Sequence, residues 1–180
     1  MTNIILCGKE KDASIAGALL PALSQYGGVQ YSSVNRISFL GGDKIKFFVY
    51  DCEKLPRIDL DSGIILFKNS FRASEQIDIP EGFLCILEMK NVHAAALLSN
   101  TGTPAITCGT NSKDTLSIAG LDEASAALSL QRSIKTVDGT LVEPHDFTVK
   151  FTASLSPSRI LTVCAVLLLS GIDSVQGYEI

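Results

Sequence analysis

The sequence predicts an α/β fold: a mostly parallel sheet with flanking helices, extended by a small antiparallel sheet. Three observations predict it. The runs at residues 4–7 (IILC), 63–67 (GIILF) and 83–87 (FLCIL) are apolar throughout, as strands covered on both faces are. Helical stretches lie between early strand runs, an order that favours parallel pairing through crossovers. Beyond Gly109 apolar and polar residues alternate, at Leu116 and Ile118, at Leu128 and Leu130, and at Phe147, Val149 and Phe151. That alternation marks half-buried antiparallel strands.

The elements follow in order. Gly8 ends the first strand and permits a sharp turn. Asp12 is placed to cap the next helix, where a carboxylate can accept from the free N–H groups of the first turn. Ile15, Leu19 and Leu23 recur every four residues as one apolar stripe. Pro21 should kink that helix, and Gly27-Gly28 should stop it. Residues 36–40 and 46–50, joined by Gly41-Gly42-Asp43, read as a hairpin or two adjacent strands. Residues 91–99 read as a short Ala-rich helix and residues 103–108 as a strand.

Residues 115–152 read as an antiparallel meander. Asp138-Gly139 within it suits a type I′ turn. Ser156-Pro157 opens a last helix over residues 159–170, which is apolar nearly all round. Such a helix is either deeply buried or an interface with a second copy. One domain of residues 1–180 is expected, parallel in 1–109 and antiparallel plus helical in 110–180.

Composition excludes several classes. With 180 residues the chain buries a sizeable core. Apolar content of 46% against 19% charged residues argues against disorder. A net charge of −4 gives no electrostatic case for nucleic acid or an anionic membrane. The five cysteines, with no CxxC among them, lie in apolar surroundings. That is the pattern of reduced thiols in a cytoplasmic protein. No basic region precedes the first apolar run, so no signal peptide is expected.

The loop from Gly8 to Ser14 has the position of a phosphate site, between a buried strand and a helix N-terminus. It lacks most of the chemistry. A GxxxxGK[ST] loop uses glycines for close backbone approach, Lys for phosphates and Ser/Thr for magnesium. Here the loop reads GKEKDAS, and Asp12 follows Lys11. A carboxylate 4 Å from a phosphate oxygen costs about 4 kcal/mol at an effective dielectric of 20. Two readings stand: a weakened anion site on Lys9 and Lys11, or a charged loop that caps a helix.

The order of elements resembles the central, ATP-binding domain of the Mur ligase family. Residues 4–23 match its phosphate-loop segment, and residues 46–53 (KFFVYDCE) its strand ending in a metal-binding Glu. Residues 64–70 (IILFKNS) match its TN strand, residues 105–109 (AITCG) its ITFG phrase, and residues 156–172 its late helix. The resemblance implies a P-loop-like sheet. It places Gly8, Lys9, Lys11 and Ser14 at the nucleotide, Glu53 near the metal position and Asn69 at the family's Asn. The Gly-Lys-Thr core is gone. Phe71-Arg72-Ala73-Ser74 stand where an Asp-His pair is expected. The family's C-terminal lid domain has no room in 180 residues. The resemblance therefore implies a stripped, non-catalytic relative.

A second segment, Gly109-Thr110-Asn111-Ser112-Lys113-Asp114-Thr115, imitates GTNGKTT. Ser112 replaces the second glycine, Asp114 replaces a hydroxyl residue, and a strand pattern follows instead of a helix. It reads as a polar turn, or as a ligand-binding turn using Thr110, Asn111, Lys113, Asp114 and Thr115. Cys7, beside Lys9 and a helix start, is the best candidate for a reactive thiol, against the plainer reading of a buried cysteine. His93 and His145 share no metal-site spacing. Gln131-Arg132 and residues 143–146 should pair across the hairpin.

The expected function is a non-catalytic binding or assembly module in the cytoplasm, with no cofactor. Its partner would be an unknown protein or small ligand, not nucleic acid or membrane, with a homodimer through the apolar C-terminal helix as one form. The alternative is an ATP-dependent ligase-like protein using Lys9, Lys11 and Glu53, with ATP and magnesium.

Overall fold

The structure, a computed structural model, describes residues 1–72 and 77–180. Ala73 and Ser74, which stand at the expected Asp-His position, lie outside the described residues. The chain runs β1 (Thr2–Cys7), α1 (Ser14–Tyr26), β2 (Gly28–Ser33), β3 (Ile37–Leu40), β4 (Ile45–Cys52), β5 (Gly63–Phe67), β6 (Phe83–Glu88) and α2 (Val92–Ser99). It continues through β7 (Ala105–Gly109), β8 (Leu116–Leu121), β9 (Ser125–Leu130), β10 (Ile134–Lys135), β11 (Leu141–Val142), β12 (His145–Lys150), α3 (Pro157–Leu169) and β13 (Tyr178–Glu179).

Eleven of these strands form one sheet in the order β13-β12-β9-β8-β7-β6-β5-β1-β4-β2-β3. Its centre is parallel, from β2 through β4, β1, β5, β6 and β7. Successive side chains on a strand point to opposite faces, and both faces of the centre are covered. Ile4, Leu6, Ile64 and Leu66 point into a core shared with α1 and α3. Ile5, Cys7, Ile65 and Phe67 point into a second core with Phe71, Ala94 and Leu98. This is why the strand runs carry no polar alternation.

The expected antiparallel part is present, and it extends the same sheet. β8 and β9, and β9 and β12, pair antiparallel. β8 joins β7 in parallel through two residue pairs only, Cys108↔Leu116 and Gly109↔Ser117. So short a contact lets a turn of six residues replace a helical crossover. β10 and β11 form a separate two-stranded sheet.

The structure corrects several local expectations. β3 and β4 are not neighbours, because β2 lies between them, antiparallel to β3 and parallel to β4. β2 (GVQYSS) is too polar to read as a strand, yet it buries Val29 and Tyr31 against the core. The β10–β11 turn is not type I′, since Gly139 has φ 86° but Asp138 does not have a positive φ. It is wider instead: Thr136 N–H donates to Thr140 O, and Thr140 N–H donates to Asp138 Oδ1. As expected, α1 contains Pro21 and stops at Gly27. Asp12 does not cap it: Ala13 occupies the N-cap position with no side-chain bond.

α3 settles between core and interface. Every side chain from Ile160 to Leu169 is buried within the chain. No apolar face of that helix remains for a second copy, so the expected homodimer surface is consumed by the chain's own core. Thirteen residues also fall short of a membrane span, and no helix among the described residues is long and apolar enough to cross a membrane. Leu167→Ala should remove about 2–5 kcal/mol of stability through the cavity it leaves, read as a lower urea midpoint with an unchanged slope.

Candidate functional site

The C-terminal ends of the central strands carry the polar groups. Lys68 follows β5 directly and is 1% exposed. Its side chain crosses the end of β1 to reach Asp51 on β4, with Nζ 2.6 Å from Oδ1. Tyr31 on β2 donates to Asp51 Oδ2 at 3.3 Å. Burial pushes the Asp51 carboxyl above its ordinary 3.8, and the hydrogen bond and charge of Lys68 pull it part of the way back. Gly8 makes the crossing possible. A Cβ there would stand 2.7 Å from Lys68 Cβ and 2.9 Å from Ser70 Oγ, at a φ of +154°.

The loop above this pair is bonded to its own chain. Lys9 N–H donates to Ser70 Oγ at 3.1 Å, and Lys68 Nζ donates to Lys9 O at 3.4 Å. Asp12 accepts the Ser14 hydroxyl at 2.6 Å and the Ser70 hydroxyl at 2.7 Å. Burial raises the Asp12 carboxyl, but those two hydroxyls, the Ser14 backbone and the Lys68 charge outweigh it and hold the group below 3.8. A carboxylate thus sits beside the start of α1.

Next to the loop lies a cleft of about 630 Å³, within the size range of small-molecule sites. Asp12 and Ser14 form one wall, Asn69 and Glu88 the floor, the Gly109–Asp114 turn a second wall, and Ser156–Arg159 at the start of α3 a third. Asn69 Nδ2 donates to Glu88 Oε1 at 2.5 Å, and the Ser158 hydroxyl donates to the same oxygen. Lys90 pairs with Glu88 Oε2 at 2.7 Å. Asn69 Oδ1 is buried and, among the described residues, has no hydrogen-bond partner.

The second wall is self-supporting. Asp114, 5% exposed, accepts the Asn111 N–H at 3.2 Å, and Asn111 Oδ1 accepts the Lys113 N–H at 3.0 Å. Asp114 Oδ2 packs against Gly109, where a Cβ would stand 2.1 Å away. Strand β8, not a helix, follows the turn in sequence.

Of the residues that the sequence singled out, the cleft brings together Ser14, Asn69, Thr110, Asn111 and Asp114. Gly8, Lys9, Lys11, Glu53, Lys113 and Thr115 do not line it. Lys9, Lys11 and Glu53 are exposed, and Thr115 is buried on Thr107, donating its N–H to Thr107 Oγ1 at 2.9 Å. The reactive-thiol reading fails for a physical reason. Cys7 is fully buried, and its hydrogen bonding with Cys52 and its burial push the thiol far above the ordinary range.

His145 bonds Glu143 O and Ser174 Oγ, and no cluster fit for a metal ion occurs among the described residues. Glu143 accepts from Ser133, while Gln131 donates to Ser117 and Arg132 to Lys113 O, so the expected cross-hairpin pairs do not form. Glu88, Arg159, Asp51 and Lys68 were missed. The available signal was position: Glu88, Asp51 and Lys68 each stand at the C-terminal end of an apolar strand.

Two measurements test this geometry. Lys68→Ala should cost about 3–5 kcal/mol, because it leaves Asp51 buried without its cation. Adding Asp51→Asn should recover part of the loss in urea unfolding. Asp12 has a lowered pKa in the folded chain, so its contribution is present above pH 3.8 and fades as pH falls through the folded value. The stability difference between the native protein and Asp12→Asn should therefore be larger at pH 7 than at pH 3.

No protein-family model matches the sequence, and no curated protein matches it. Solved structures do. A murein peptide ligase, Mpl, from Psychrobacter arcticus is similar at a TM-score of 0.54 and 12% identity, over 97% of this chain and 45% of that one. The UDP-N-acetylmuramate:L-alanyl-gamma-D-glutamyl-meso-diaminopimelate ligase from Neisseria meningitides gives 0.55 and 12%, over 97% and 63%. MurF from Acinetobacter baumannii gives 0.54 and 11%, over 97% and 43%. The chain spans less than two thirds of the length of these ligases. At such identities the likeness establishes the fold: this chain has the architecture of a Mur ligase segment.

Proposed function

We propose that the chain is a non-catalytic binding module on a Mur-ligase-like scaffold, that its phosphate loop no longer takes a nucleotide, and that its ligand is a small polar molecule held in the cleft beside the loop. One observation carries the reading. The loop backbone and the approach to α1 are occupied from within the chain: the Lys9 N–H donates to Ser70, and the Asp12 carboxylate with its two hydroxyl donors stands beside the entrance to the helix. A phosphate there would meet Asp12 as a like charge at the point where a helix dipole would otherwise attract it. The unpartnered Asn69 Oδ1 supports the cleft as the place where a donor group is received. Five buried cysteines without disulfides support a reducing, cytoplasmic setting.

The alternative reading, an ATP-dependent ligase-like protein with magnesium, is favoured by the exposure of Lys9 and Lys11 at the loop. Calorimetric titration with ATP and magnesium separates the two. No heat at millimolar ATP is expected. Binding tighter than about 100 μM, roughly −5.5 kcal/mol, that disappears in Lys11→Ala would overturn the proposal in favour of the alternative.

A further inference from the structure

We infer that two copies of this chain pair through β3, antiparallel about a two-fold axis at Ser38, so that the sheet continues across the dimer. β3 is the edge of the sheet beyond β2. Edge strands are normally guarded by charge, proline or extreme shortness. The other edge, β13, has two residues, whereas β3 has four, Ile-Ser-Phe-Leu, with neither charge nor proline. Ile37 is 77% exposed and Phe39 54% exposed.

The hydrogen-bond phase selects the register. Ser33 N–H donates to Arg36 O at 2.8 Å, and Tyr31 stands opposite Ser38 and Val29 opposite Leu40. By the alternation of an antiparallel ladder, Arg36, Ser38 and Leu40 point their backbone groups at β2. Ile37 and Phe39 therefore aim theirs away from the sheet. Pairing Ile37 with Phe39 of a second copy, and Phe39 with Ile37, engages all four outward N–H and C=O groups of these residues in each chain. The same register sets Ile37 against Phe39 as a cross-strand apolar pair, twice, a favourable combination of aromatic and β-branched side chains.

Two further observations fit this occupant. Ser38 falls opposite Ser38 of the second copy. Its Oγ is buried and, among the described residues, has no hydrogen-bond partner. Once its side chain turns outward to another rotamer, the hydroxyl directly across a non-hydrogen-bonded pair can supply one. Charge is also compatible. Arg36, the one charge between Asn35 and Gly41, lies opposite Leu40. The two Arg36 residues are then four positions apart along the strands, about 13 Å at 3.3 Å per residue, which is beyond the screening length of physiological salt.

Sedimentation velocity over a series reaching about 1 mM, the range in which a weak interface populates, should show a concentration-dependent dimer. Phe39→Lys should be monomeric throughout, with an unchanged circular dichroism melt. Ser38→Cys should form an interchain disulfide in oxidised glutathione, because the non-hydrogen-bonded pair brings the two Cα atoms to about 4.5 Å. Arg57→Cys, exposed and outside β3, serves as the control. A native chain that stays monomeric at every concentration would overturn the inference. So would a dimer that survives both Phe39→Lys and Ile37→Lys. Should those variants fail to fold, Ser38→Cys decides: crosslinking no faster than Arg57→Cys overturns it, and faster crosslinking upholds it.

Discussion

The Lys68–Asp51 ion pair is the interaction on which the functional edge depends. It ties β5 to β4 across the end of β1, and Tyr31 extends the tie to β2. Four adjacent strand ends are fixed by one buried charge pair. Burying two charges has a large desolvation cost, repaid only by close geometry and further hydrogen bonds. Those bonds come from Tyr31 and from Lys9 O. The loop is therefore set from below, by the side chain that passes under it. From above it is set by Ser70, which bonds both Lys9 N–H and Asp12.

Gly8 illustrates how one residue serves two readings. In the sequence it is the opening glycine of a phosphate loop. In the folded chain its missing side chain makes room for Lys68 and Ser70. Both uses exploit close approach to a bare backbone, so local sequence cannot separate them. The same holds for Asp12. Its position before a helix suggests a cap, but Ala13 takes the N-cap position and the carboxylate also receives the hydroxyl of Ser70, 58 residues away. Gly109 and Asp114 repeat the pattern, since the turn's own carboxylate lies on its glycine.

The cleft joins five chain segments that are separate in sequence: the loop before α1, the ends of β5 and β6, the turn after β7 and the start of α3. Asn69 was legible through the likeness of residues 64–70 to the TN strand, and Asn111 through a polar turn that follows a strand. Glu88 and Arg159 were not. Nothing near Glu88 signals that Asn69 and Ser158 will converge on it, because both contacts are tertiary.

By itself the sequence determined the fold class, the buried strands β1, β5 and β6, the strand β7, the two-sided core and the start of α3. Each of these follows from local apolar pattern or local cap chemistry, and such signals survive without knowledge of neighbours. Only the tertiary structure decided that β2 separates β3 from β4, that α3 is core throughout, and that Lys68 reaches Asp51. The reason is physical. Strand neighbours, burial of an all-apolar helix and long-range ion pairs depend on which surfaces meet, and a one-dimensional pattern carries periodicity but not partners.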